Sequence, residues 1–486
     1  MRTTYRPLHL RQSGRLLALA VLSMSGPVHA QDLDYLRGLL AGTAAGGWVK
    51  ASTNVFADAW PTGTTAVNAA LELSATQNVV HAWSSFAWDS QRNNLLLWGG
   101  GHSSYAGNEM YVWQGSNGSW TRGSLPSRVE SVPGAVDSRT RLVVDDAAPQ
   151  SAHTYEGNLY LPVNDMFVTL GGPVYQDAGT FKVRDANGNL VTAGPWLWDP
   201  RKADANKVGG TNGSGWDSAS TGGAMWTNQG GSWQSTPGLD HFVNNSTAYR
   251  TENGQDVVYV TVKPGAWGTL YRYTPGDVRG QGSTGQWELV GVPSYQAASL
   301  ESSGALDDRN NLFVNTAYHP STIDSFDLNV WNLATAGASN VDTAVDLVMA
   351  DGSAFSISTA FGIDYDAADG SFWMWDGKDR GTVYRTEAVF NLDGTVASQW
   401  FVDKVTSATV DQPDGNFRYT VGGKWQFVDA LGAFVALDEY DPVTRDAAVW
   451  LYKPLASAVP EPWSAAMMLT GLGFLAGRIR RRGRRA

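Results

Sequence analysis

Five histidines, His81, His102, His153, His241 and His319, carry most of the reactive potential of the central chain. Histidine exchanges protons near neutrality, so it is the side chain best suited to general acid–base work on a substrate. His81 and His102 stand 21 positions apart, and His102 closes the turn Gly99-Gly100-Gly101-His102. A phenol follows His153 two residues on, at Tyr155. Such groups can take a proton on one side of a bond and return one on the other. Imidazoles also suit zinc and manganese, but no short-spaced ligand pattern marks a metal motif here. The run Asp185-Ala186-Asn187-Gly188-Asn189 has oxygen donors like those of a calcium loop, yet Asn187-Gly188 between strand-like flanks reads more simply as a hairpin turn. No cofactor is therefore expected, and the histidines leave room for a divalent metal (Zn, Mn or Ca). There is no cysteine, which removes thiol chemistry and disulfides together.

Positioning these groups falls to a body of about 428 residues, rich in Gly and Trp and nearly devoid of helical periodicity. One phrase recurs in it: a short apolar strand, a turn, a strand with aromatics, and often a lone Trp some ten residues later. The second-position strands read 94–98, 166–170, 257–262, 311–315, 371–375 and 433–437, and partners follow at 109–113, 195–198, 269–273, 327–331, 382–385 and 447–452. Fourth strands carry Trp120, Trp233, Trp287 and Trp400, and 345–349 serves the fourth unit. The sixth unit runs out of chain, so Gly47-Trp48-Val49-Lys50 from the other end should complete it and remove a free sheet edge. The expected fold is all-β, a six-bladed β-propeller (seven being the alternative count) closed by an N-terminal strand. Most of the 21 Trp then pack between blades, and residues 202–239 form a long loop with one embedded strand. All five histidines map to one rim of the channel. That rim should also receive Tyr105, Asn108, Glu109, Tyr155, Asn244, Tyr318, Asp376, Lys378, Asp379, Arg380, Asp438 and Glu439.

Leu95-Leu96-Leu97-Trp98-Gly99-Gly100, with Tyr111 and Trp120 beyond it, resembles a kelch repeat, and residues 167–172 with Trp198 repeat it more loosely. The body is thus similar to kelch and galactose-oxidase-like propellers. The copper-radical chemistry of galactose oxidase is excluded, because that cofactor needs a cysteine joined to tyrosine. Sialidase chemistry lacks its Asp-box repeats and arginine triad. The pair His81 and His102 resembles the histidine pair of ulvan-lyase-type propellers, which cleave uronic-acid polysaccharides by β-elimination. That resemblance implies His81, His102 and Tyr155 as the catalytic set, with His102 or Tyr155 as base and acid. His153, His241, His319, Tyr105, Asn108, Lys378 and Arg380 would bind substrate, with His81, His153 or His241 near the sugar carboxylate. The chain departs from those lyases in blade number, in its acidity and in lacking an arginine that sequence places beside the histidines. A non-catalytic surface or biofilm-matrix interaction protein stays open as the alternative.

The two ends speak to destination. Arg2, Arg6, Arg11 and Arg15 precede the apolar run 16–24, and Val28-His29-Ala30 supplies small residues for signal-peptidase cleavage before Gln31. At the other end, Pro460-Glu461-Pro462, an apolar span from Trp463 to about Gly477, and Arg478, Arg480, Arg481, Arg482, Arg484 and Arg485 follow in order. This resembles the PEP-CTERM sorting signal read by exosortase, and it implies a transient inner-membrane anchor with its arginines cytoplasmic. Expected segments are a signal peptide at 1–30, a linker at 31–44, the propeller at 45–454 and the sorting and anchor segment at 455–486. Expected partners are signal peptidase, exosortase and polysaccharide, with release to the surface or exterior of a Gram-negative cell. Ten of 35 Lys and Arg and one of 46 Asp and Glu lie outside residues 31–458, leaving 25 basic against 45 acidic side chains and a formal charge of −20 there. Nucleic acid is excluded as a partner, because phosphate binding needs a basic footprint.

Overall fold

The structure is a computed structural model. It describes residues 33–63, 75–101, 104–131, 141–143, 147–172, 181–185, 187–211, 222–230, 245–262, 268–276, 278, 285–294, 302–316, 327–357 and 361–455. Both ends expected to direct targeting lie outside these, and no helix among the described residues is long and apolar enough to cross a membrane.

The architecture is all-β and propeller-like. One four-stranded antiparallel sheet contains Ser85–Asp89, Asn94–Trp98, Tyr111–Gln114 and Ser119–Arg122. A second contains Asn158–Leu161, Met166–Thr169, Trp196–Trp198 and Trp226–Asn228, and a third Thr247–Glu252, Gln255–Val262, Thr269–Thr274 and Gln286–Gly291. An eight-stranded sheet follows. Its halves, Gly304–Asp307 to Thr343–Met349 and Phe361–Asp366 to Gln399–Val405, are joined by parallel pairing of their last strands, Asp346 opposite Gln399. The final sheet runs Trp425–Val428, Ala433–Leu437, Val449–Lys453, and then Gly47–Lys50 from the other end of the chain. Trp48 pairs with Tyr452 and Val49 with Leu451, so the N-terminal strand covers the edge as expected.

Local chemistry explains the repeating hairpins. Asp89, Asp307 and Asp366 each end a first strand and accept two backbone N–H bonds from the following turn, at 2.9–3.1 Å. The fourth residue onward, Asn93, Asn311 or Gly370, has positive φ, a conformation that Asn and Gly adopt most readily. First strands touch around a common axis, and bonds run from each to the next. Asn158 Nδ2 donates to the Ser85 carbonyl at 2.9 Å, Thr247 N to Glu156 at 2.9 Å, Ile363 N to Ser303 Oγ at 3.2 Å, Phe427 N to Asp364 at 2.7 Å, and Phe86 N to the Gly423 carbonyl at 3.0 Å. The Ser246 and Ser302 hydroxyls, 2.5 Å apart, bridge the remaining step. Between successive sheets lie apolar clusters, with Trp48, Trp98, Trp113, Trp196, Trp198, Trp331, Trp373, Trp375 and Trp400 fully buried.

Some expectations need correction. The fourth strand of the second sheet carries Trp226, which packs on Trp98 at 5.6 Å, whereas Trp233 lies outside the described residues. Residues 34–41 form a helix, not a linker, because Leu36 and Leu40 bury against the first and last sheets and Lys453 Nζ donates to the Leu40 carbonyl. His81, expected from its rim position to begin an innermost strand, instead ends a one-turn helix, Asn78–His81, ahead of Ser85–Asp89. The Asn187-Gly188 hairpin is present, with Asp185 accepting from Asn187 N and Asn189 N.

Candidate functional site

Two approach segments meet at the end of the axis where first strands begin. After the helix Asn78–His81, Trp83 turns the chain at φ 45, and after His153 the chain turns at Tyr155 with φ 48. Bulky residues rarely adopt positive φ, and each costs about 1–3 kcal/mol. The two turns are tied together: Tyr155 N donates to the Trp83 carbonyl at 2.7 Å, and Ser85 N to Thr154 Oγ1 at 3.3 Å. Such strain is retained where surrounding structure over-determines it, commonly at ligand sites.

A third wall comes from the last sheet. The loop after Ala433–Leu437 presents Glu439, whose Oε1 lies 2.7 Å from His81 Nδ1. Glu439 also accepts from Tyr440 N at 2.9 Å and, through Oε2, from Arg418 N at 2.9 Å. Burial alone would raise its carboxyl. The His81 contact, Lys424 and the backbone donor of Arg418 outweigh burial and hold it below the usual range, ionised. The approach is an ion-pair distance without hydrogen-bond alignment at Nδ1, so Glu439 acts on His81 as a neighbouring negative charge, and Nε2 is the other ring nitrogen open to proton transfer. Beside it Trp83 stacks on Tyr419, ring centroids 3.6 Å apart at 23°, and His153 lies 4.6 Å from Trp83. Tyr155 meets His153 edge-on at 6.4 Å, and the Arg418 guanidinium lies 5.2 Å over the Tyr419 ring. His81, Trp83, His153, Tyr155, Arg418, Tyr419 and Glu439 thus form one cluster. The neighbouring Asp438 accepts from Asp414, Gly415 and Glu439 N–H groups, and burial pushes its carboxyl up to about 7.

Of the residues singled out from sequence, His81, His153 and Tyr155 come together. His81 keeps some solvent access, whereas His153 is 2% and Tyr155 8% exposed. His102, His241 and His319 lie outside the described residues, as do Asn244, Tyr318 and the residues expected to form the sorting signal, Pro460, Glu461, Pro462, Arg480, Arg481 and Arg482. Tyr105 and Asn108 are buried within the fold. Tyr105 and Tyr111 both donate to Glu109 Oε1, at 2.7 and 2.6 Å, while Asn108 bonds the Pro149 carbonyl and Ser127 N. Their polar groups brace loops instead of facing solvent. Lys378 Nζ donates to the Phe417 carbonyl and Arg380 pairs with Asp414 at 3.0 Å, so both pin the loop that carries Arg418 and Tyr419. Among the described residues no group of three or more His, Asp or Glu is arranged to hold a metal.

Sequence reasoning missed Trp83, Arg418, Tyr419 and the buried Glu156. Glu156 accepts from Thr247 N at 2.9 Å, Gly304 N at 2.7 Å, Gly423 N at 2.9 Å and the Ser303 hydroxyl. Burial pushes it up to about 8 while those four donors pull the other way. One carboxylate therefore ties three other sheets to its own beneath the cluster.

The molecule is an all-β, propeller-like protein with a histidine and a carboxylate 2.7 Å apart beside an aromatic stack. No protein-family model matches the chain, and no curated protein does. Among solved structures, an α-L-arabinofuranosidase from Fusarium graminearum in complex with an iminosugar inhibitor is 10% identical with a TM-score of 0.37, over 76% of this chain and 92% of the other. A gluconolactonase from Xanthomonas campestris is 12% identical with a TM-score of 0.32, over 84% and 98%. An oligogalacturonate lyase in complex with manganese is 9% identical with a TM-score of 0.29, over 77% and 96%. Likeness this distant assigns no chemistry, which has to come from the rim residues themselves.

Proposed function

We propose that this chain is an exported, exosortase-sorted β-propeller of six blades that binds extracellular polysaccharide across its histidine-bearing rim and cleaves it by β-elimination. The eight-stranded sheet supplies two of the blades in this count. The observation that carries the chemistry is the His81–Glu439 contact of 2.7 Å beside the Trp83–Tyr419 stack. Aromatic faces offer an apolar platform to the C–H face of a sugar. An imidazole beside a carboxylate, which favours its protonated form, can accept the proton next to the uronate carboxyl, and the exposed Arg418 can neutralise that carboxyl, a role for which sequence offered no arginine. In the step, the C5–H bond breaks toward His81 Nε2, the electron pair forms the C4–C5 double bond, and the O4 bond breaks as a proton reaches the leaving oxygen, which Tyr155 or His102 would supply. Signal peptidase, exosortase, the transient membrane anchor and release outside a Gram-negative cell belong to the same proposal and rest on the sequence of the two ends.

A non-catalytic matrix or cell-surface protein is the second reading, favoured by the burial of His153 and Tyr155. Incubation with uronate-containing polysaccharides separates the two. Elimination leaves an unsaturated uronate that absorbs in the ultraviolet, and His81→Ala should abolish that signal. Retention on polysaccharide with no absorbance from the parent chain overturns the lyase and leaves the binder.

A further inference from the structure

Backbone strain singles out one more residue of the rim. Among the described residues nine non-glycine positions have positive φ: five are Asn or Asp, one is Ala224, and three are the bulky Trp83, Tyr155 and Arg445, at φ 45, 48 and 61. Trp83 and Tyr155 make the turns of the histidine cluster. Arg445 closes a turn of its own, where its N–H donates to the Asp441 carbonyl at 2.8 Å and its carbonyl accepts from Ala57 N at 3.2 Å. Asparagine would adopt that backbone conformation at less cost, so it is the arginine side chain that the position retains.

That side chain lies on a line of rings leading to His81. Its guanidinium is 5.9 Å over the Trp60 ring, Trp60 stacks on Tyr440 at 5.6 Å and 26°, and Tyr440 meets His81 edge-on at 5.8 Å. The same arrangement stands on the Glu439 branch, where Arg418 lies over Tyr419 and Tyr419 stacks on Trp83. Stacking covers the flat face of a guanidinium and leaves its in-plane fork, the geometry that takes a carboxylate through two bonds. One of the five donors reaches the Tyr440 phenol. The carboxylates of the same turn are engaged elsewhere, Asp446 by Lys50 Nζ at 2.9 Å and Phe56 N at 3.1 Å, and Asp441 by Val443 N at 2.7 Å and Thr444 Oγ1 at 2.9 Å. Arg92, Arg250, Arg272 and Arg385 each pair with Asp or Glu. Arg418 and Arg445, both exposed, have no such ion pair among the described residues.

We propose that Arg445 is a second carboxylate-binding residue of the rim, so that the polymer bound there is a polyuronate, one carboxylate answered by Arg418 and another by Arg445; this rests on the rim being the polysaccharide site. The test is retention of the purified chain on polygalacturonate and on alginate in affinity electrophoresis, with methyl-esterified polygalacturonate as the uncharged counterpart and ultraviolet absorbance followed alongside. The parent should be retained by an acidic polymer and less by the ester. Arg445→Asn should weaken that retention by about two- to fivefold, the size of an exposed charge pair, while the thermal midpoint holds or rises, because asparagine suits the backbone. Arg37→Gln removes the same charge from the helix beside Ala430 and should leave retention unchanged. Retention that depends on Arg445 without absorbance upholds the subsite and removes the lyase. Absorbance from the parent with undiminished retention of Arg445→Asn does the reverse. No retention of the parent on either acid, equal retention on the ester, equal weakening in Arg37→Gln, or a lowered midpoint with unchanged retention would each overturn the proposal.

Discussion

Trp48→Ala tests whether the N-terminal strand is part of the cooperative ring. Trp48 is 2% exposed, its ring lies 5.0 Å from Tyr452, 5.5 Å from Trp375 and 5.6 Å from Trp425, and Nε1 donates to the Gly381 carbonyl at 2.8 Å. Truncating a core Trp costs ~3–5 kcal/mol. Leaving the Gly381 carbonyl without its donor adds about 1 kcal/mol or more. The expected loss of roughly 4–6 kcal/mol is a large share of a typical stability of about 5–15 kcal/mol. Two residues along the same strand, Lys50 pairs with Asp446 at 2.9 Å but is 44% exposed, so Lys50→Ala should cost at most ~1 kcal/mol. Urea unfolding followed by circular dichroism measures both. If Trp48→Ala cost no more than Lys50→Ala, with unchanged denaturant slope, the strand would be an appendage and the argument for closure would fail.

Burial pushes Glu156 to about 8, Asp364 and Asp438 to about 7 and Asp327 to about 6. The folded chain then keeps protons that the unfolded chain releases from about pH 4 upward. Stability from these groups is fully present below about pH 4 and is lost as pH rises through 6 to 8. The thermal midpoint should accordingly fall between about pH 5 and pH 8, and Glu156→Gln should flatten the upper part of that fall; a rising midpoint contradicts the burial argument. Glu439→Gln should keep retention on polysaccharide but slow elimination by about 10²-fold or more, and an unchanged rate would remove His81 from the chemistry. Trp83→Ala should weaken retention by about two- to tenfold, the worth of one aromatic contact, and equal retention would show that the stack is internal packing only.

Much of the strand pattern was legible because sheet packing demands alternation and a turn after each strand. The second-position strands at 94–98 and 433–437 appear unchanged, and Trp48 could be matched to the last sheet because that sheet otherwise had an open edge. Composition does not reveal which aromatic in a Gly-rich loop finds a partner strand, and Trp226 is the one that pairs, with Trp198. The helix at 34–41 spans about two turns, too short for its periodicity to stand out. A sharper signal of each hairpin is an Asp ending the first strand with Asn or Gly four residues later, at Asp89/Asn93, Asp307/Asn311 and Asp366/Gly370. At the site, histidine was easy to single out because it is scarce, whereas Trp83 and Tyr419 were two aromatics among many. Only the three-dimensional crossing of their loops distinguishes them. Glu439 was placed on the rim by its position after a second strand, but nothing in the sequence paired it with His81.

Glu156 explains why the two ends of the axis have different character. The first strand of each sheet has a neighbour on one side only, so its other edge points N–H groups at the axis, where no strand can pair with them. One carboxylate has enough lone pairs to serve several such donors, and Glu156 serves Thr247, Gly304 and Gly423 together. A backbone carbonyl at the same point could not reach all three sheets. That solution divides the channel, with the His81–Glu439 pair on one side and a cavity lined by Asp308, Asp364 and Asp429 on the other. A polymer held by the rim would therefore lie across the axis and not thread along it.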